Sequence, residues 1–360
     1  MKSEIGSNFW EYELRAKEKN RSLWWESPDY CIDYFKSGRN AIKALCRMLN
    51  VSKKSALLPI YTCSTVIDPF LEEGWEIGFY RLNTDLTLNY ESLLQEYENN
   101  APSVILFHSF FGLDTLKNDL DIIRQLQDRG VLIVEDITQA LLSYHHIPIA
   151  DYYVSSLRKY LAIPDGGFII SKHGPLGVMK ERCDPIIAKV AFEAFDLKEK
   201  YFEKEDSDIK TLFRKKYQDL NLLIGSNDKI QDISPESLKV FEAFNIELSG
   251  MRRRENYSHL LQCIKEIGYI QPTLSAEIGN DVPLYLPVYV APSRKELQTY
   301  MAANRVYCPI IWPKPVQIKN RDDEIEYMYQ NMLCFPIDQR YGVEEMNRVV
   351  ELIKAFYFEV

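Results

Sequence analysis

VLIVEDITQALLS, residues 131–143, opens with four apolar side chains and ends that run on two adjacent carboxylates, Glu135 and Asp136. Consecutive apolar positions without polar alternation mark a strand covered on both faces, as parallel strands are. An amphipathic helical pattern over Leu120–Arg129 precedes it and stops at Gly130. In open α/β sheets ligands lie beyond the carboxyl ends of the strands, so acids at that end are candidates for a site. Asp136 taken alone reads equally well as a helix N-cap, since it follows a strand and precedes an apolar run.

Working outward, residues 37–171 alternate helical spacing with short apolar runs, the pattern of a parallel α/β sheet. Asn40–Leu49 is helical, Ser55–Pro59 a strand, Thr65–Glu73 helical up to Gly74, Glu76–Tyr80 a strand, Tyr90–Tyr97 a helix and Ser103–His108 a buried strand. Gly167–Ser171 is expected to be the last strand of this sheet. Residues 180–265 read as charged helices, with Lys198–Asp208 exposed. Beyond 265, Leu284–Val290 and Cys308–Trp312 read as strands, Arg294–Asn304 and Gly342–Phe356 as helices, together a compact α+β lobe. A chain of 360 residues exceeds what one core usually serves, so two domains are expected: 1–250 large, 251–360 small.

Composition excludes several classes. With 46% hydrophobic residues and no long uninterrupted apolar run, the chain is expected to be soluble, without a membrane partner. The first twenty residues are charged and aromatic where a signal peptide needs an apolar stretch, which points to the cytoplasm. Seven cysteines, scattered and never in a C-x-x-C pair, argue for reduced thiols and against a zinc site. His145 and His146 are adjacent and project differently, a poor metal pair. A net charge of −9 disfavours nucleic acid, and Arg252-Arg253-Arg254 reads as a solvated helix face.

Two further stretches carry chemistry. SSLRKYLAIPDGGF, residues 155–168, sets Lys159 after two hydroxyl residues and seven positions before Gly166-Gly167. A covalently held carbonyl cofactor needs such a set: one amine, hydroxyls for a phosphate, and glycines that admit close backbone approach. The plain alternative is a surface basic pair followed by a hairpin turn. FKSGRNAIKAL, residues 35–45, opens a helix on Ser37-Gly38, where backbone N–H groups and the helix dipole suit a phosphate. Many helices begin so and bind nothing.

In this order and spacing the pieces resemble the DegT/StrS-type sugar aminotransferases, a branch of the fold-type I enzymes that use pyridoxal 5'-phosphate (PLP). The likeness runs over nearly the whole chain. It matches Ser37-Gly38-Arg39-Asn40 to the family's phosphate turn, Pro59-Ile60-Tyr61-Thr62-Cys63 to its proline-aromatic-threonine segment, and Glu135-Asp136-Ile137-Thr138-Gln139 to its Glu-Asp-x-x-Gln motif. Lys159 matches the lysine that carries the cofactor. Arg253-Arg254-Glu255 and Cys334–Met346 match the approach to the small domain and its Leu-x-x-Pro segment.

The resemblance implies an α/β fold with a mainly parallel seven-stranded sheet, a small C-terminal α+β domain and a homodimer. It implies PLP held by Lys159, with Asp136 on the pyridine nitrogen and Gln139 near the phenolic oxygen. Ser155 and Ser156 are carried to the phosphate. The implied reaction moves an amino group from glutamate to a keto group on a nucleotide-linked sugar, for surface polysaccharide or glycoconjugates. Two departures stand out. Cys63 occupies the position of the ring that stacks on the pyridine, with Tyr61 the nearest substitute. Gly225–Ser237 replaces the segment that reaches the neighbouring subunit's phosphate, leaving Asn227 as its closest polar residue. These departures motivate the competing reading, an inactive or regulatory binding protein on the same scaffold.

Overall fold

The computed structural model describes residues 4–13, 23–225, 229–274, 278–319 and 322–358. In chain order the elements are β1 (Ile5–Gly6), β2 (Cys31–Phe35), α1 (Gly38–Met48), β3 (Ser55–Pro59), α2 (Ser64–Glu72), β4 (Glu76–Tyr80), α3 (Tyr90–Asn100), β5 (Val104–His108), α4 (Leu120–Asp128) and β6 (Leu132–Asp136). There follow β7 (Tyr152–Ser156), β8 (Gly167–Ser171), α5 (Pro185–Lys204), α6 (Ser207–Gly225), α7 (Pro235–Ala243), α8 (Ile246–Ile267), β9 (Gln271–Pro272), β10 (Tyr285–Tyr289), α9 (Arg294–Ala303), β11 (Val306–Tyr307), α10 (Asp323–Asn331), β12 (Met332–Pro336) and α11 (Val343–Phe358).

The main sheet has seven strands in the order β2-β8-β7-β6-β5-β3-β4. The pairs β4·β3, β3·β5 and β5·β6 are parallel, while β8 runs antiparallel to both β2 and β7. Parallel neighbours require crossovers, which α2, α3 and α4 supply between successive strands. By compactness the chain divides into unit 1 (residues 1–7, 51–150 and 247–360) and unit 2 (residues 8–50 and 151–246). Unit 1 also holds the antiparallel sheet β12-β10-β9 and the short parallel pair β1·β11.

Local chemistry explains the element ends. Ser37 caps α1 by accepting the Asn40 N–H, Asn89 caps α3 at Ser92, and Asp184 caps α5 with Pro185 as its first residue. Ser234 caps α7 the same way, again followed by proline. The five-residue strands β3, β5, β8 and β12 are wholly buried, and none shows polar alternation.

Several expectations need correction. Cys308–Trp312 is not a strand: after β11 the chain is irregular, and Pro309 and Pro313 remove two of the N–H groups a ladder would need. β2, β7 and β12 went unread, because five-residue segments carrying Asp33, Ser155-Ser156 or Cys334-Phe335-Pro336 lack a clean period. Lys198–Lys204 forms the last turns of α5; Glu199, Lys200, Glu203 and Lys204 are exposed as expected, but Tyr201 is buried and Lys198 is 1% exposed. Its ammonium lies 4.3 Å from the Trp10 ring centroid and donates to the Asn8 carbonyl. Nor is Arg253 solvated: it is fully buried and donates to the carbonyls of Pro283 and Leu284 and to Gln339.

Candidate active site

Unit 2 gathers three sequence motifs into one cradle. The Ser37-Gly38 turn opens α1, and Ser37 pairs with Gly166 in an isolated parallel bridge. Gly166 donates its N–H to the Lys36 carbonyl at 2.7 Å, and its own carbonyl accepts from Leu157 N–H at 3.1 Å. On the adjoining ladder Ser155 pairs with Phe168 and Ser156 with Gly167. The helix start, the end of β7 and the glycine pair are therefore locked together by backbone bonds.

The glycines are there because the backbones touch. A Cβ on Gly167 would fall 2.3 Å from the Ser37 carbonyl carbon and 2.4 Å from Gly38 N, inside any permissible contact. On Gly38 it would meet Ser156 Cβ at 3.2 Å. Gly166 has φ +129°, a conformation that side chains rarely adopt.

Chemically the cradle suits a phosphate. The first N–H groups of a helix have no intrahelical acceptor, and those of α1 belong to Gly38 and Arg39, with Arg39 half-buried beside them. Ser155 Oγ is buried and has no partner, an orphan hydroxyl that a ligand oxygen would satisfy. Ser156 is half-buried, and Lys159 stands exposed at the end of a single 3-10 turn, Leu157–Lys159, directly after β7.

Behind this cradle lies a buried network that no sequence motif announced. Asp165 accepts from Ser234 Oγ at 2.7 Å, from Ser234 N–H, from Ser237 Oγ and from Cys183 Sγ at 2.9 Å. Burial raises its pKa despite these bonds, and burial likewise pushes the Cys183 thiol well up. The network ties the N-terminus of α7 to the residue preceding Gly166-Gly167. Asn40 adds a second tie, donating to the Lys229 carbonyl at 2.8 Å and accepting from Gln231 N–H at 2.7 Å. Asn227 lies outside the described residues.

Unit 1 holds the acidic group. Asp136 ends β6 opposite His108, which ends β5 in the same register. Its Oδ2 is 3.2 Å from His108 Nδ1, and Oδ1 accepts the Thr138 N–H at 2.9 Å. His108 Nε2 lies 2.8 Å from Thr62 Oγ1, which completes a chain Thr62–His108–Asp136. Burial raises the Asp136 pKa, but the His108 and Thr138 bonds outweigh it and hold the carboxyl below its ordinary value. One Asp136 oxygen thus caps a turn rather than a helix, and the other faces an imidazole.

Its neighbour Glu135 faces the other side of the strand. Ser109 Oγ donates to one of its oxygens and Ile147 N–H to the other, yet complete burial raises its pKa to about 7. Gln139 accepts the Phe111 N–H through Oε1 at 2.7 Å. Cys63 caps α2 by position and has Sγ 2.8 Å from Thr65 Oγ1. Tyr61 is enclosed: its hydroxyl donates to Met332 Sδ, and its ring packs among Phe110, Trp312 and Tyr329. His108 and Trp312 were missed in the sequence. For His108 the signal was available, a polar residue ending an apolar strand one ladder away from Asp136.

Solved structures share this fold over most of their length. The sugar aminotransferase CalS13 from Micromonospora echinospora superposes with a TM-score of 0.63 at 15% identity, covering 90% of this chain and 87% of that one. A DegT DnrJ EryC1 StrS aminotransferase from Brucella abortus gives 0.63 at 14% identity, with 91% and 86% covered. NtdA from Bacillus subtilis, with bound cofactor PMP, gives 0.61 at 16%, with 89% and 72% covered. The chain therefore has the fold of fold-type I transferases. No family profile matches the sequence, and no curated protein sequence does.

Proposed function

We propose that this protein is a PLP-dependent aminotransferase that moves an amino group from glutamate to a keto group of a nucleotide-linked sugar, in the making of surface polysaccharide or glycoconjugates. The observation that carries the reading is the unit 2 cradle: a helix N-terminus, the orphan Ser155 hydroxyl and glycines whose backbone admits no side chain, with Lys159 one 3-10 turn away. The shared fold with a sugar aminotransferase and a PMP-bound relative supports it. In this reading residues 1–250 form the large cofactor-binding domain and 251–360 the small one. The working form is a cytoplasmic homodimer.

Ser37, Gly38, Arg39, Ser155 and Ser156 would hold the phosphate, with Asn227 as a further candidate. Lys159 would hold the carbonyl carbon, Asp136 the ring nitrogen and Gln139 the neighbourhood of the phenolic oxygen. When bound, PLP supplies an electron sink for charge developing at the donor's Cα. What the chain contributes is proton control. Lys159 Nζ would act as general base toward the donor's Cα proton and as general acid toward the carbon that had carried the cofactor's carbonyl. Asp136 stays ionised because His108 and Thr138 stabilise its charge, and an ionised carboxylate keeps a facing ring nitrogen protonated. Thr62 fixes the orientation of the His108 ring.

The test is the visible absorption spectrum of wild type and Lys159→Ala with added PLP, before and after glutamate. A bound-cofactor band that glutamate bleaches in wild type, and that the variant lacks, is the expected result. A wild type that acquires no band returns the chain to the competing reading, a scaffold without turnover.

A further inference from the structure

We propose that a small cavity on the Glu135 side of β6 binds an ammonium group, either the free ion or the head of a short primary amine. The cavity measures about 130 Å³ and is walled by Ser109, Thr115, Leu116, Glu135, His145 and Ile147, all from unit 1. Half-buried His146 and exposed Lys117 also line it, so it reaches the surface. A cavity of ~150 Å³ accepts a guest of benzene size, which leaves room here for a handful of non-hydrogen atoms. Its walls are not apolar. Thr115 is 5% exposed, and its Oγ1 is buried without a partner, as is Nε2 of His145. Buried polar atoms nearly always have partners, so two orphans on one cavity mark the place of a missing one. The site does not rest on the PLP reading, since none of these residues is assigned to the cofactor.

The chemistry selects the guest. Asp281 Oδ1 lies 2.8 Å from His145 Nδ1, and a carboxylate only accepts, so the neutral ring carries its proton on Nδ1 and offers a lone pair at Nε2. Thr115 Oγ1, His145 Nε2 and the Glu135 carboxylate then make three acceptors, one for each N–H of a primary ammonium. The charges agree. Burial disfavours a proton on His145, but the Asp281 bond and the charges of Asp281, Asp114 and Glu135 outweigh it and raise the pKa, so the surroundings draw positive charge toward the ring. Burial in turn keeps Glu135 protonated up to about 7. An ammonium group supplies the positive charge that both groups otherwise take from protons. Lys117 is exposed, so its charge is screened by water, and His146 sets its Nδ1 3.1 Å from the Tyr144 carbonyl. Among the described residues no three acidic, histidine or cysteine side chains are placed to hold a metal ion, which leaves hydrogen bonding as the means of recognition.

The experiment is calorimetric titration of the full chain with ammonium, methylammonium and ethylammonium chloride, at about pH 8 and about pH 6. Potassium chloride and acetamide are the cationic and neutral controls, and wild type is compared with Thr115→Val and Glu135→Gln. Cofactor absorbance, recorded alongside, marks amine that reacts with bound PLP instead. Wild type should bind the ammonium compounds with a dissociation constant on the order of millimolar, the limit for so few atoms, and the two controls much more weakly. Protons compete for Glu135, so affinity should fall about tenfold between the higher and the lower pH, the change in the ionised fraction of a group that titrates near 7. Thr115→Val keeps the shape and loses one hydrogen bond to a charged guest, so its binding should weaken about tenfold. Glu135→Gln should lose most of the binding and its pH dependence together. A preference for methylammonium over ammonium assigns the site to an organic amine, and the reverse to the free ion. Absence of any heat, equal affinity for potassium or acetamide, or binding unchanged in Thr115→Val overturns the proposal; in the first case the cavity holds water alone. A signal that only follows the cofactor band overturns it too, and bears instead on the aminotransferase reading.

Discussion

Glu135 and Asp136 are chemically alike, adjacent, and driven in opposite directions by their surroundings. Successive strand residues point to opposite faces. Asp136 meets His108 and Thr138, and is held charged; Glu135 accepts from Ser109 and Ile147 and feels His145 more distantly, yet burial outweighs these and lifts it to about 7. The consequence for stability has a definite sign. A carboxyl whose folded pKa is raised contributes fully below its unfolded value near 4.5 and loses that contribution as pH rises through about 7. Glu135→Gln mimics the protonated form without titrating, since its amide can donate to Ser109 while its oxygen accepts from Ile147. The variant should melt close to wild type at about pH 5 and above it at about pH 8. A gap between the two that stays constant across this range would show that Glu135 does not titrate as its burial implies.

At the scale of elements, the cradle is a meeting of three backbone segments, and its glycines differ in what they tolerate. Gly167→Ala drives a Cβ into the Ser37-Gly38 backbone, which cannot step aside without opening the bridge to Gly166. Loss of about 3 kcal/mol or more is expected, together with loss of PLP binding. Gly38→Ala meets only the Ser156 Cβ at a tight but adjustable distance and sits at the first helical position, so its stability should stay within about 1 kcal/mol of wild type. Thermal melts and PLP titration of the pair check this ordering; equal effects would mean that the interlock is not what the glycines serve. The helix α5 teaches a related lesson. KEKYFEKEDSD reads as solvated because five of its first seven residues are polar or charged, yet Lys198 is buried against Trp10 and Asn8, nearly two hundred positions earlier.

At the scale of the molecule, the two compact units are interleaved in sequence: the two stretches of unit 2 alternate with the three of unit 1. Neither corresponds to a continuous half of the chain. Among the described residues no helix is long and apolar enough to cross a membrane. The proposed homodimer is checked by light scattering on the eluting protein, where a mass near twice the 42.1 kDa of one chain is expected. A monomer at all concentrations would remove the role assigned to the segment around Asn227, since that role belongs to a neighbouring subunit's phosphate.

The sequence by itself determined the layered α/β class, because a strand buried on both faces reads as an unbroken apolar run, and Val131–Val134 and Val104–Phe107 do. It determined the order of the candidate motifs, since Lys159 after two serines, Gly166-Gly167 and the Ser37-Gly38 turn are local patterns whose chemistry can be read in place. Only the tertiary structure decided that β8 lies antiparallel between β2 and β7, that Asp136 owes its charge to His108, that Asp165 anchors α7, and that Trp312 rather than Tyr61 stands against the imidazole. The reason is common to all four. Each depends on contacts between residues tens to hundreds of positions apart, and the energy of such contacts comes from burial and geometry that no local pattern of residues encodes.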